Sequence, residues 1–269
     1  MRQWRLINDS PTIGAHNMAV DEAILRAVVD GAQPPTLRLY AWEPACLSLG
    51  YGQRVTDLDW ARLAAHGWDA VRRLTGGRAI LHTDELTYSV ALPLDHELAD
   101  GDVVQSYRRI STALLAALRT LGVQPAADPL HEPLRSVDPV CFETPSHYEI
   151  TVDGRKLIGS AQARKHGGVL QHGAFPLHGD IARICDALTY DDEAARDTAK
   201  AHVRARALTL EEALGRRVGW SEAAQAVIDG FRDTFDLELD LQPLSAAEQT
   251  AAAQIRDDVY AADTWTHRR

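Results

Sequence analysis

The chain of 269 residues is poor in cysteine, methionine and aromatic residues, with 3 Cys, 2 Met and only 6% Phe, Trp and Tyr. Its cysteines, Cys46, Cys141 and Cys185, are odd in number and form no CxxC pair, so neither a disulfide framework nor a zinc-finger site is indicated. Free thiols suit a reducing compartment, and a cytoplasmic protein is expected. There is no uncharged apolar run long enough to span a bilayer, and Met1-Arg2-Gln3-Trp4-Arg5 lacks the apolar core of a signal peptide. Excess positive charge is also missing. The formal charge is −10, with a pI near 5.5. That balance argues against nucleic-acid binding through phosphates and against an anionic membrane partner. The HExxH, GxGxxG and GxxxxGK[ST] motifs are absent and the histidines are scattered, so no metal site is expected.

What remains is an ordinary globular composition, 45% hydrophobic and 25% charged, sufficient for a sizeable core. Thr12 is a candidate cap for a helix over 15–29, with Met18, Ile24, Leu25 and Val28 apolar. Residues 37–42 and 46–51 read as a strand pair, and 57–66 as a short helix stopped by Gly67. Strands are expected over 70–74, 79–82, 86–92 and 169–177. The clearest helix is 106–121, with Ile110, Leu114, Leu115 and Leu118 on one face. Residues 125–145 hold five prolines and read as a long loop. Asp153-Gly154 is a hairpin signal between strands at 148–152 and 156–161. From Ile181 onward the chain reads as mostly helical and acidic, and a shift near residues 185–205 suggests a catalytic unit over 1–205 and a helical extension over 206–269.

Positive charge is concentrated in two acid-free stretches. Arg72, Arg73 and Arg78 lie between Ala70 and Thr83; Arg155, Lys156, Arg164, Lys165 and three histidines lie between Gly154 and Gly179. Together they suggest a shared site for an anionic partner. Gly76-Gly77 follow the first strand and would expose backbone N–H groups to a ligand. Cys141 sits in a proline-rich loop, where catalytic groups are often carried. Lys156 follows fifteen residues later, and a nearby ammonium favours a thiolate. Cys46 and Cys185 sit among apolar neighbours and read as core.

Four ordered segments resemble one family. Arg72-Arg73-Leu74-Thr75-Gly76-Gly77-Arg78-Ala79-Ile80-Leu81-His82 resembles the first motif of the lipoate ligase and octanoyltransferase family. Gly154-Arg155-Lys156-Leu157-Ile158-Gly159-Ser160-Ala161-Gln162 resembles the second, which carries the family lysine, and Gln171-His172-Gly173 the third. Cys141-Phe142-Glu143, with Pro145-Ser146 and Tyr148-Glu149, is similar to the cysteine segment of the LipM-type octanoyltransferases. Asp21-Glu22-Ala23 and Leu49-Gly50-Tyr51 are further anchors.

The resemblance implies an α/β (α+β) catalytic domain of the biotin/lipoate ligase type, with mixed sheets flanked by helices and a helical C-terminal segment. It implies an acyltransferase of lipoate biosynthesis that carries octanoyl from octanoyl-acyl carrier protein to a lipoyl domain, such as glycine cleavage H protein or dehydrogenase E2. Cys141 would be the nucleophile and Lys156 its partner. Arg73, Gly76, Gly77, Arg78, His82, Gly159, Ser160, Ala161, His172 and Gly173 would surround the substrate, with Ile80 or Ile158 lining the acyl slot. No cofactor is implied; ATP enters only in the alternative, an ATP-dependent lipoate-protein ligase. An octanoyl amidotransferase acting between lipoyl domains is the other alternative. A third glycine typical of the ligases is replaced by Arg78. A monomer is expected.

Overall fold

Alternating side chains in the first strand set up two helical layers. β1 (Arg2–Asn8) sends Trp4 and Leu6 to one side of the sheet and Arg5 and Ile7 to the other. The protein is described here by a computed structural model covering residues 2–128 and 149–268. α1 (Gly14–Val29) follows, then β2 (Thr36–Tyr40), β3 (Cys46–Leu49), α2 (Trp60–His66), β4 (Asp69–Arg72), β5 (Ile80–His82) and β6 (Glu85–Pro93). Next come α3 (Val103–Thr120), β7 (Ala126–Asp128), β8 (Glu149–Val152), β9 (Arg155–Lys165) and β10 (Gly168–Pro176). The last part holds α4 (Glu193–Arg206), α5 (Leu210–Leu214), α6 (Trp220–Phe235), β11 (Leu237–Leu241), α7 (Ala246–Ile255) and α8 (Asp263–Thr266).

Among the described residues, eight strands form a mixed sheet in the order β11-β1-β2-β6-β10-β9-β8-β7, and β4-β3-β5 form a smaller one. This is the expected α/β class, with mixed sheets and flanking helices. The strands at 37–42 and 46–51 do not pair, however. β2 joins the large sheet beside β1 and β6, whereas β3 lies in the small sheet between β4 and β5. One face of the large sheet is covered by α3 and α6, with Ile110, Leu114, Leu118, Val227 and Phe231 in the core. The other is covered by α1 and α7, through Met18, Ile24, Leu25 and Ala252.

Several ends follow local chemistry. Asp102 and Gln105 form a capping box that starts α3. Asp59 caps α2, and Gly67 ends it in the left-handed region. α1 begins at Gly14 rather than through the expected Thr12 cap; its N-cap is Ile13, with no side-chain hydrogen bond. Asp153 and Gly154 take φ of 50° and 74° and turn β8 into β9, as their sequence predicts.

The segment from residue 206 onward is mostly helical but shares the same cores. β11 pairs in parallel with β1, α6 packs on α3, and α7 packs on α1. Glu248 of α7 accepts a buried bidentate ion pair from Arg5 of β1, at 2.7 and 2.5 Å. Among the described residues, no helix is long and apolar enough to cross a membrane.

Candidate active site

The first basic stretch is used inward. Arg72 is fully buried, and its Nη1 donates to the carbonyls of Gly50 (2.9 Å) and Gln53 (2.6 Å), while its Nη2 donates to Thr266 O (2.8 Å). Buried Arg73 donates through Nη1 to Ser48 O and Oγ (both 2.7 Å), and through Nη2 to the carbonyls of Gly76 (2.9 Å) and Arg78 (3.0 Å). In the second stretch, Arg155 pairs with Glu212 and Arg164 donates to Ala99 O. These cations satisfy the protein's own carbonyls and carboxylates, as buried charge requires. Arg72 and Arg73 therefore shape the loop between β4 and β5 rather than facing an anion, whereas Arg78 lines the cavity that this loop borders.

That loop closes over a cavity of about 310 Å³ against the large sheet. The volume lies at the small-ligand end of the range for binding pockets. Arg73, Gly77, Arg78 and His82 line it from the loop and β5; Gly159, Ser160 and Ala161 from β9; His172 and Gly173 from β10. The structure therefore brings together nine of the ten residues expected around the substrate. Gly76 is exposed and lies beside the lining rather than in it. Tyr40, Trp42, Ile80 and Ala174 supply apolar wall. Of the two isoleucines considered for the slot, Ile80 lines it, whereas Ile158 belongs to the core under α3.

Gly77 sits at φ +88°, a conformation only glycine adopts easily. A Cβ on Gly50 would meet Gly77 O at 1.9 Å, so two backbones touch here. Among the described residues, the N–H groups of Gly76 and Gly77 have no hydrogen-bond partner. Gly77 thus lines the cavity with its N–H unpaired, and such a group can stabilise charge on an acyl oxygen.

Both lining histidines are held by a hydroxyl and a carboxylate. His82 Nδ1 lies 2.6 Å from Glu85 Oε1, and its Nε2 lies 2.7 Å from Ser48 Oγ. Its ring stacks on Trp42, with centroids 3.9 Å apart. His172 donates from Nδ1 to Asp21 Oδ2 (3.3 Å) and accepts at Nε2 from Thr75 Oγ1 (2.6 Å). Burial pushes the pKa of His172 below 6.5, outweighing the nearby Asp21 carboxylate. Burial also works to raise Asp21, but the His172 hydrogen bond and the Arg38 charge outweigh it and hold the carboxyl below its usual range. The pair is therefore neutral imidazole with carboxylate.

Ser160 borders the cavity, but its hydroxyl turns away. Ser160, Gly173 and Tyr88 stand in register on three adjacent strands, and Ser160 Oγ meets Tyr88 Oη at 2.7 Å on the α3 side. A Cβ on Gly173 would strike both, at 2.4 Å from Ser160 Oγ and 2.7 Å from Tyr88 Cε1.

Lys156 is placed by a register shift. Thr151 pairs with Lys156 but Ile150 pairs with Ile158, so Leu157 is one residue too many. Leu157 and Ile158 both enter the core under α3, and Lys156 takes the opposite face, shared by Gly159 and Ala161. Its Nζ donates to Glu149 Oε1 at 2.7 Å, and its side chain is 3% exposed. Lys156 stands beyond the lining given by the described residues, about 10 Å along β9 from Gly159 at strand rise. Cys141 and most of the proline-rich loop lie outside the described residues. Cys46 and Cys185 are fully buried, as expected, and burial pushes the Cys46 thiol well up. No group of metal-binding side chains occurs among the described residues.

The family model of the lipoyl protein ligase A/B catalytic domain matches residues 14–232. The chain belongs to this family. Octanoyltransferase LipM of Exiguobacterium sibiricum is 39% identical over 277 residues, covering 100% of both chains. Octanoyltransferase LipM of Bacillus subtilis is 35% identical, covering 99% of this chain and 98% of the relative. These full-length matches place the chain in the acyltransferase branch. In shape it is similar to the bipartite lipoate protein ligase of Thermoplasma acidophilum, with TM-score 0.83 and 25% identity over 99% of this chain and 97% of that one. A lipoate-protein ligase A bound with ATP has TM-score 0.79 and 25% identity, over 99% of both chains.

Within this family site, sequence reasoning missed Tyr40, Trp42, Thr87 and Ala174 as wall residues. All four lie on strands or strand ends that read as ordinary core. Asp21 stood out only as an anchor of the resemblance, and its contact with His172 spans 151 residues of chain.

Proposed function

We propose that the chain transfers an octanoyl group from octanoyl-acyl carrier protein to a lysine of a lipoyl domain, such as glycine cleavage H protein or dehydrogenase E2, in lipoate biosynthesis. The observation that carries the reading is the largely apolar cavity, lined by Gly77 with its unpaired N–H. An eight-carbon chain gains about 0.8 kcal/mol per methylene buried there. The Cys141 thiolate attacks the thioester carbonyl, and the carrier thiol leaves with a proton. The acyl group then forms a thioester with Cys141. The lipoyl-domain amine attacks that thioester, Cys141 leaves as thiol, and an amide remains. Exchange of one thioester for another needs no ATP, and the greater stability of the amide drives the second step. Lys156, tied to Glu149 on the cavity face of β9, supplies the positive charge that favours the thiolate.

The test is intact mass spectrometry after mixing the protein with octanoyl-acyl carrier protein in the absence of ATP. One octanoyl adduct on Cys141, lost on adding lipoyl domain and absent in Cys141→Ser, is the expected result. Modification of the lipoyl domain only with ATP and free lipoate would instead make the chain a ligase.

A further inference from the structure

Four donors converge on one buried carboxylate beneath the cavity. Asp21, on α1, is 1% exposed. Its Oδ1 accepts from Arg38 Nη1 (2.8 Å) and Ser89 Oγ (2.8 Å), and its Oδ2 from Tyr40 Oη (2.9 Å) and His172 Nδ1 (3.3 Å). Tyr40 and His172 both line the cavity. Asp21 touches no part of the cavity itself, and its charge is already matched by Arg38. A carboxylate accepts only, so the hydrogen on His172 must sit on Nδ1. Nε2 is then left as an acceptor, and it faces the Thr75 hydroxyl at 2.6 Å. Thr75 is fully buried, and its carbonyl accepts from Tyr51 N at 2.8 Å. It is the residue immediately before Gly76-Gly77. Asp21 thus decides which way a chain of hydrogen bonds runs, and the chain ends at the loop that carries the open donor.

We infer that Asp21 is a positioning residue: by fixing the Nδ1–H form of His172 it fastens Thr75, and with it holds the Gly77 N–H against the acyl group in the cavity. The effect on rate rests on the proposed acyl transfer; the arrangement itself does not. Thr75 is the informative position, because valine keeps its shape and removes only the hydroxyl.

Two measurements test the inference separately from the function. In 15N-labelled protein at neutral pH, His172 should show a protonated Nδ1 and an unprotonated Nε2, and Asp21→Asn should shift that pattern towards Nε2–H. The opposite form in the wild type, or an unchanged one in Asp21→Asn, overturns the inference whatever the reaction. In acylation by octanoyl-acyl carrier protein, Thr75→Val should lower the rate constant about 10- to 100-fold with little change in the donor KM, as a misplaced donor does. Thr75→Ser should restore most of the rate. Wild-type speed in a folded Thr75→Val protein, or no recovery in Thr75→Ser, also overturns it. If the wild-type protein is not acylated at all, the transfer reading fails, and the histidine resonances still decide the role of Asp21.

Discussion

At the scale of single residues, the site depends on groups that leave room as much as on groups that react. Gly50 and Gly77 bring two backbones together, and neither oxygen nor carbon at Gly77 can swing aside as a long side chain would. Gly50→Ala should displace the Gly76-Gly77 turn, destabilise the fold by about 1–3 kcal/mol, and lower acylation more than 10-fold. Urea denaturation and acylation rates check both; a folded Gly50→Ala protein of wild-type rate would contradict the close contact. The motif residues were legible because glycine, histidine and lysine leave a visible pattern in the chain. Trp42 and Tyr40 were not, since an aromatic strand residue looks the same whether it fills a core or walls a cavity. Arg72 and Arg73 misled for a related reason: sequence shows a charge but not the carbonyls that absorb it.

At the scale of elements, the joints between strands and helices matter more than the elements themselves. β1 and α7 are linked by Arg5 and Glu248, both at most 3% exposed, and Glu248 also forms the capping box of α7 with Ser245. Glu248→Ala leaves a guanidinium buried without its counter-charge and should cost about 3–5 kcal/mol. The paired replacement of Arg5→Met with Glu248→Leu should cost far less, because no uncompensated charge remains. Equilibrium unfolding of the two proteins compares them directly, and equal losses would show that the ion pair is not what joins the elements. Between residues 15 and 177 most helices and strands were readable from periodicity and turn signals to within a few residues. Partnership was not: β2 and β3 are neighbours in sequence yet belong to different sheets, and no local pattern states which strand a strand will meet. The extra residue at Leu157 was equally hidden, because a bulge follows from pairing across β8 and not from the β9 sequence alone.

At the scale of the whole molecule, stability should fall in acid in two stages. His172 is held neutral, with a folded pKa below 6.5, and burial shifts His16 and His96 the same way. The unfolded chain therefore binds protons that the folded chain refuses. Stability from these groups is complete above pH 6.5 and is lost as pH falls below it. Asp21 and Glu248, both held below their usual carboxylate values, add a second loss once pH drops under about 4.5. Melting temperatures from pH 7.5 to 4 should show both stages, and His172→Gln should flatten part of the first and also the share of the second that comes from Asp21, leaving the Glu248 share. A slope unchanged by that substitution would mean that His172 does not contribute. The acidic, helical character from Ile181 onward suggests an extension beginning near residue 206, but Leu237-Glu238-Leu239-Asp240-Leu241 alternates strictly. That alternation is the readable sign of a strand, and it is the strand that ties the end of the chain to its beginning.

The pairing of β11 with β1 also sets a timetable for the ribosome. Arg2 pairs opposite Leu237, so one side of β1 has no partner until more than two hundred further residues have been polymerised. At 5–20 residues per second that wait is on the order of 10–50 s. Throughout it the nascent chain presents an unpaired strand margin and an Arg5 whose counter-charge has not yet been translated. Until residue 237 is made that margin is open to pairing with another chain, and slow codons placed before it would lengthen the exposure.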